Sequence, residues 1–220
     1  MIRATLKKHN IRFRERLAAS KVIAILRAED TEYFADVAQV LYDSGIRVIE
    51  AALTTPGALD AITQMQVELG QDALVGAGSV RTVSDVDSCA ATGVDFLVTA
   101  TFSAEVLDRA QQYGLPVVCG ALTPTEIEAA WRRGAAVVKV FPVGPSGGVG
   151  YLRAVRAPLP EIPLVPAGGI AMGEVEAYLG AGAFAVGAAT PLIGDSVCGG
   201  RLDELAERAS QLAALAGKFV

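Results

Sequence analysis

Two charged residues stand inside apolar runs: Lys139 within Val137-Val138-Lys139-Val140-Phe141-Pro142-Val143, and Glu50 directly after Ile46-Arg47-Val48-Ile49. The first run is too short for an ordinary helix and too β-branched for a loop, which predicts a buried strand. Taking a lysine ammonium out of water favours the neutral amine, and a neutral amine attacks a carbonyl carbon to form a Schiff base. Lys139 is therefore the candidate nucleophile. The other four lysines, Lys7, Lys8, Lys21 and Lys218, lie near the chain ends or ahead of the first apolar run, where water solvates them. A carboxylate withdrawn from water takes its proton more readily, which suits Glu50 to moving protons near neutrality. Each residue also has a structural alternative: Lys139 at a strand end with its ammonium reaching solvent, and Glu50 in an ion pair with Lys139, Arg27 or Arg47.

Short apolar runs that predict strands recur at Val22–Leu26, Val48–Ala52, Ala73–Gly76, Phe96–Thr99, Pro116–Cys119, Val137–Val140, Leu164–Pro166 and Ala183–Gly187. Helical patterns separate them, over Thr31–Tyr42, Ala58–Leu69, Val83–Ala91, Ala104–Tyr113, Pro124–Arg133, Gly147–Val155 and Met172–Leu179, and a last helix spans Leu202–Leu215. Glycines such as Gly93 and Gly114 close a helix just before the next apolar run, as helix-to-strand loops require. Apolar strands flanked by helices are parallel and covered on both faces. Eight such units predict an α/β fold, a (β/α)8 TIM barrel over residues 1–220, with an extra N-terminal helix from Arg3 to Ala19 that presents Leu6, Ile11, Phe13 and Leu17. An open doubly wound sheet is the competing architecture, but it favours a glycine-rich turn after the first strand, where Arg27-Ala28-Glu29 stands instead.

In a barrel the active site forms where the strands end. The predicted ends deliver Arg27, Glu50 with Thr54 just beyond it, Ser79, Lys139 with Phe141, and the pair Gly168-Gly169 ahead of a helix. That pair lies where barrels commonly bind phosphate, since bare backbone N–H groups at a helix start can donate to a closely approaching anion.

Composition limits the classes of partner. A net charge of −5 gives no basic footprint for nucleic acid or an anionic membrane. Three widely spaced cysteines and a single histidine, His9, argue against a disulfide framework or a zinc motif. With no apolar signal core at the start, a cytoplasmic location is expected, without metal or cofactor.

The segments Val75-Gly-Ala-Gly-Ser-Val80, Lys139-Val-Phe-Pro142, Pro166-Ala-Gly-Gly-Ile170, Ile49-Glu50 and Ala24-Ile-Leu-Arg27 together resemble the 2-keto-3-deoxy-6-phosphogluconate (KDPG) aldolase family, in the same order along nearly the whole chain. The resemblance implies a metal-free class I aldolase, a homotrimer, that cleaves a 2-keto-3-deoxy-6-phospho sugar acid to pyruvate and glyceraldehyde 3-phosphate. On matching positions it implies that Lys139 forms the Schiff base and Glu50 shuttles protons through a water. Phe141 packs beside the lysine, Ser79 contacts the pyruvate carboxylate, Gly168 and Gly169 hold phosphate, and Arg27 helps bind substrate as in the galactonate-type branch.

The chain departs from that pattern at four places. Thr54 replaces an arginine or asparagine and is the polar group left there for substrate, Ala100 replaces a proline, Ala167 a threonine or valine, and Ala189 a serine. These positions keep a second reading open, in which the substrate is 4-hydroxy-2-oxoglutarate (KHG) or an unphosphorylated 2-keto-3-deoxy acid. Readings of other classes are a non-catalytic phospholigand-binding barrel and a sugar-phosphate isomerase without an imine.

Overall fold

A computed structural model describes the backbone of residues 2–220 and the side chains from residue 8 onward. The expectations for Leu6 and Lys7 lie outside the described side chains. Eight strands, β1 (Val22–Leu26), β2 (Val48–Ala52), β3 (Leu74–Gly78), β4 (Leu97–Val98), β5 (Val117–Ala121), β6 (Val137–Val140), β7 (Leu164–Pro166) and β8 (Val186–Ala188), run parallel in the order β7-β6-β5-β4-β3-β2-β1-β8. A parallel bridge between Ala167 and Gly187, with Phe184 N–H donating to Leu164 O at 2.8 Å, joins β7 to β8 and closes the barrel. The open-sheet alternative is thereby excluded.

Because side chains alternate along a strand, each strand splits between two cores. Ile49 and Ala51 of β2 and Val138 and Val140 of β6 point outward into the shell packed against the helices. Inward-facing Ile23, Val48, Leu74, Val118, Val137 and Val165 form a lower interior layer with Phe96 and Val98. Glu50 and Lys139 sit two residues further along β2 and β6, so they face inward one layer higher.

Helix α1 (Ile2–Ser20) lies across the lower end of this interior and buries Phe13 and Leu17 in the lower layer. Phe13 meets Phe96 with ring centroids 5.0 Å apart. Three side chains tie α1 to the loops that enter the strands: His9 Nδ1 donates to Gly114 O at 2.8 Å, Asn10 to Gly134 O at 3.3 Å and Arg14 to Ala136 O at 3.3 Å. Ile11, expected on the buried face, is 40% exposed, since it falls on the solvent side of the turn that buries Phe13 and Leu17.

Seven further helices are α2 (Phe34–Asp43), α3 (Ala58–Leu69), α4 (Val83–Thr92), α5 (Ala104–Tyr113), α6 (Pro124–Arg132), α7 (Gly148–Arg156) and α8 (Val175–Gly180). Reciprocal capping starts α4 through Thr82 and Asp85 and α6 through Thr123 and Glu126. Gly93 and Gly114 take φ of 81° and 70° at the ends of α4 and α5, a conformation that a side chain resists.

Several boundaries differ from the expectation. Strand β4 shrinks to two residues, and β8 starts at Val186 rather than Ala183. The helix expected over Met172–Leu179 begins as a 3-10 turn at Met172–Glu174 before α8, and the one expected from Thr31 starts at Phe34. After β8 the chain forms a short helix, α9 (Thr190–Ile193), and a 3-10 turn at Ser196–Cys198, neither of which the apolar periodicity indicated; α10 (Leu202–Gly217) follows. No described helix is long and apolar enough to cross a membrane.

Candidate active site

The register places Glu50 beside Gly76 of β3 and Lys139 beside Gly120 of β5 and Val165 of β7. Both charged side chains are buried, Lys139 at 8% exposure and Glu50 at 2%. Lys139 Nζ lies 3.9 Å from Glu50 Oε1, longer than a direct hydrogen bond. Burial pushes the Glu50 carboxyl above its ordinary range, against the opposing pull of Lys139 and, more weakly, Arg27. The protonated acid is thus stabilised in a place where a bare carboxylate has lost its water.

Small residues make this layer habitable. A Cβ on Gly78 would stand 2.7 Å from Glu50 Oε1, so glycine there is what leaves room for the carboxyl group. Gly187 and Ala167 border the same small cavity as Glu50 and Lys139, and a Cβ on Gly187 would meet the Ala167 Cβ at 2.8 Å.

Above the pair opens a cavity of about 180 Å³ lined by Lys139, Arg27, Ser79, Phe141, Gly168 and Thr190 among others. Arg27 donates to Ser79 Oγ at 3.1 Å across the mouth. Ser79 holds this place with a left-handed backbone, φ 60°. The Phe141 ring centroid lies 5.3 Å from Lys139 Nζ, close enough for its face to attract the ammonium. Phe141 in turn rests on Gly168, where a Cβ would come 2.7 Å from the ring, and Gly168 has φ 81°, so only glycine satisfies both demands.

Of the eight residues expected at the site, Lys139, Arg27, Ser79, Phe141 and Gly168 line the cavity, and Glu50 lies just beneath it. Gly169 is exposed and outside the lining, and so is Thr54. The neighbouring Thr55 turns inward instead: its hydroxyl donates to Ala28 O at 3.1 Å and accepts from Ala28 N–H at 3.2 Å, which pins the loop carrying Arg27. Arg47 is turned away from Glu50, stacked 4.0 Å over the Tyr42 ring and donating to Tyr42 O. Lining residues that sequence reasoning missed are Thr190, Ile193, Gly194 and Val197, all in the segment after β8. The available signal was Pro191, which suits the first turn of a helix. Among the described residues no group of three or more His, Cys, Asp or Glu side chains is arranged to hold a metal ion.

Residues 13–206 match the KDPG and KHG aldolase family. The chain belongs to this family. The 2-dehydro-3-deoxy-6-phosphogalactonate aldolase of Escherichia coli K12 is 33% identical over 195 residues, 88% of this chain and 91% of that one. A solved native KDPGal structure superposes with a TM-score of 0.82 at 29% identity, covering 90% of this chain and 95% of its own. A KDPG aldolase from Legionella pneumophila, with pyruvate captured as a covalent carbinolamine, superposes at 0.77 with 26% identity over 94% of this chain and 97% of its own. This protein is accordingly an aldolase, a lyase, on a (β/α)8 barrel, and its charged pair lies at the end of the barrel where such enzymes work.

Proposed function

We propose that this aldolase cleaves a 2-keto-3-deoxy-6-phospho sugar acid to pyruvate and glyceraldehyde 3-phosphate through a Schiff base on Lys139. The observation that carries this reading is the buried pair itself, Lys139 Nζ and Glu50 Oε1 3.9 Å apart beneath a cavity sized for a short chain of carbons. Once a base has taken its proton, the amine of Lys139 adds to the C2 keto carbon, and loss of water gives an iminium. A base takes the proton of the C4 hydroxyl, the C3–C4 bond breaks, and its electron pair flows into the iminium to leave an enamine while the aldehyde departs. Protonation at C3 and hydrolysis release pyruvate and return the amine. Glu50, through a bridging water, is the group placed to accept and return these protons, and the burial that holds a proton on its carboxyl suits it to that exchange.

Arg27 and Ser79 form the anion-binding edge of the cavity for the substrate carboxylate, and Gly168 offers backbone to the far end of the chain. Among the described residues, Arg27 is the one cation in the lining apart from Lys139, and Ala167 and Ala189 present methyl groups there. These favour a second reading with the same mechanism, in which the far end is not phosphorylated, as in 4-hydroxy-2-oxoglutarate or an unphosphorylated 2-keto-3-deoxy acid. Homotrimeric assembly and a cytoplasmic location belong to the same proposal, supported by family membership.

Incubation with pyruvate and sodium borohydride, followed by peptide mass mapping, tests the mechanism. A reduced pyruvate adduct on the Lys139 peptide is the expected result; no adduct rejects the imine. Comparing kcat/KM for phosphorylated and unphosphorylated substrates then decides the far end, since equal values reject a phosphate requirement.

A further inference from the structure

Seven of the 19 Lys and Arg residues but only one of the 24 Asp and Glu fall within the first 21 positions, so an acidic protein begins with a basic helix. Arg12 and Arg16 stand four apart on α1, a spacing at which like charges repel, and His9 lies one turn before Arg12. No ion pair among the described residues includes either arginine. Both guanidinium-bearing side chains line a cavity of about 490 Å³ between α1 and the loops that enter β3, β4 and β5, at the opposite end of the barrel from Lys139.

The other polar groups in this lining are largely committed. Asp95, the one carboxylate in it, accepts Val75 N–H at 2.8 Å, and His9 Nδ1 donates to Gly114 O at 2.8 Å. Tyr113 donates to Asp87 at 3.0 Å, and Gln66 to Gly93 O at 2.9 Å. Among the described residues, the cavity leaves without a partner the Gln71 amide and two guanidinium forks, each of which matches a carboxylate or phosphate through paired N–H donors.

We propose that this cavity binds a small organic polyanion, one with two or more phosphate or carboxylate groups, anchored by Arg12 and Arg16. Its volume falls within the usual range for small-molecule sites, roughly 300–1,000 Å³. A long polyanion is disfavoured, because the chain beyond residue 21 carries most of the acidic residues and repels one. The site is separate from the aldolase chemistry and stands whatever the substrate of the mouth proves to be.

Isothermal titration with pyrophosphate and with citrate, at constant ionic strength, tests this on the whole protein, on Arg12→Gln/Arg16→Gln and on Arg27→Gln. Binding of at least one probe to the unmodified protein and to Arg27→Gln is expected, weakened by roughly tenfold or more in the double variant. The same probe should raise the thermal midpoint of the unmodified protein and not that of the double variant. Should the double variant fail to fold, Arg12→Gln alone, at an exposed position, carries the comparison. Three results overturn the proposal: no binding of either probe at millimolar concentration, binding undiminished by loss of the arginines, or binding lost only with Arg27, which would assign it to the mouth.

Discussion

At the lower end of the barrel, Phe13 and Leu17 of α1 close a layer of Ile23, Val48, Leu74, Val137 and Val165 that contains no polar side chain. One layer higher, the same strands deliver Glu50 and Lys139, and glycine or alanine takes the places where bulk would continue the packing: Gly78, Gly120, Ala167 and Gly187. Two residues of displacement along β2 and β6 thus separate a region that stabilises the fold from one that costs stability. The difference teaches where function is written in this barrel: the lower layer follows the rule that apolar surface leaves water, and the upper layer departs from it twice, with a titratable group at each departure.

The largest expected effect is on Lys139→Met. An apolar chain of similar length removes the proposed nucleophile, so turnover should fall on the order of 10⁴-fold or more. Stability at neutral pH should fall, by up to about 3–5 kcal/mol, since removing one partner of a buried pair leaves Glu50 without its opposing cation. An aldolase assay and urea unfolding measure both; undiminished stability would mean that Glu50 keeps its proton and gains nothing from Lys139. Next comes Glu50→Gln, expected to slow turnover by about 10²- to 10⁴-fold while leaving the borohydride adduct intact.

Glu50→Gln also has a stability signature. The folded-state pKa of Glu50 is raised, so its contribution is fully present below the ordinary glutamate value, where both folded and unfolded states keep the proton. As pH rises the unfolded chain ionises first, and the contribution is lost progressively through the folded-state pKa. Unfolding curves from pH 4 to 8 should therefore show the unmodified protein losing stability with rising pH relative to Glu50→Gln. Parallel curves would refute the burial argument.

At the lower end the prediction changes kind. Phe13→Ala should cost about 3–5 kcal/mol, as large-to-small core changes do, with kcat per folded molecule unchanged because Glu50 and Lys139 lie a layer away. Denaturation midpoints and active-site-normalised rates distinguish this from a loss transmitted to the mouth.

The same contrast explains what was legible before the structure. The core strands Val22–Leu26, Val48–Ala52 and Val137–Val140 match their expected limits because apolar runs of that length bury on both faces. Lys139 and Glu50 stood out as interruptions of those runs. Strand β4 was harder to delimit, since Phe96 and Thr99 continue the apolar or β-branched pattern but only Leu97 and Val98 are assigned to the strand. The segment Ala189–Val197 stayed hidden because α9 is four residues long, too short for helical periodicity to register, yet it supplies Thr190, Ile193 and Val197 to the cavity. Thr54 and Thr55 could not be told apart by residue type; which of two adjacent threonines turns inward depends on the loop after β2.

The smallest expected effect, and the finest test of the contrast, is Ser79→Gly. Ser79 holds φ 60°, a conformation that costs an L residue roughly 1–2 kcal/mol, and glycine adopts it freely. Part of that gain is offset by the greater freedom of glycine in the unfolded chain, roughly 0.4–1 kcal/mol, which leaves a net stabilisation of about 0.5–1 kcal/mol. The same change removes the hydroxyl that accepts from Arg27 and faces the cavity. Loss of one hydrogen bond to a charged substrate group should raise KM by roughly tenfold with little change in kcat. A variant that unfolds later and binds substrate worse would show that the mouth keeps strain for the sake of a contact. A variant that loses stability instead would show that the Arg27–Ser79 contact outweighs the backbone strain, and the mouth would then resemble the floor.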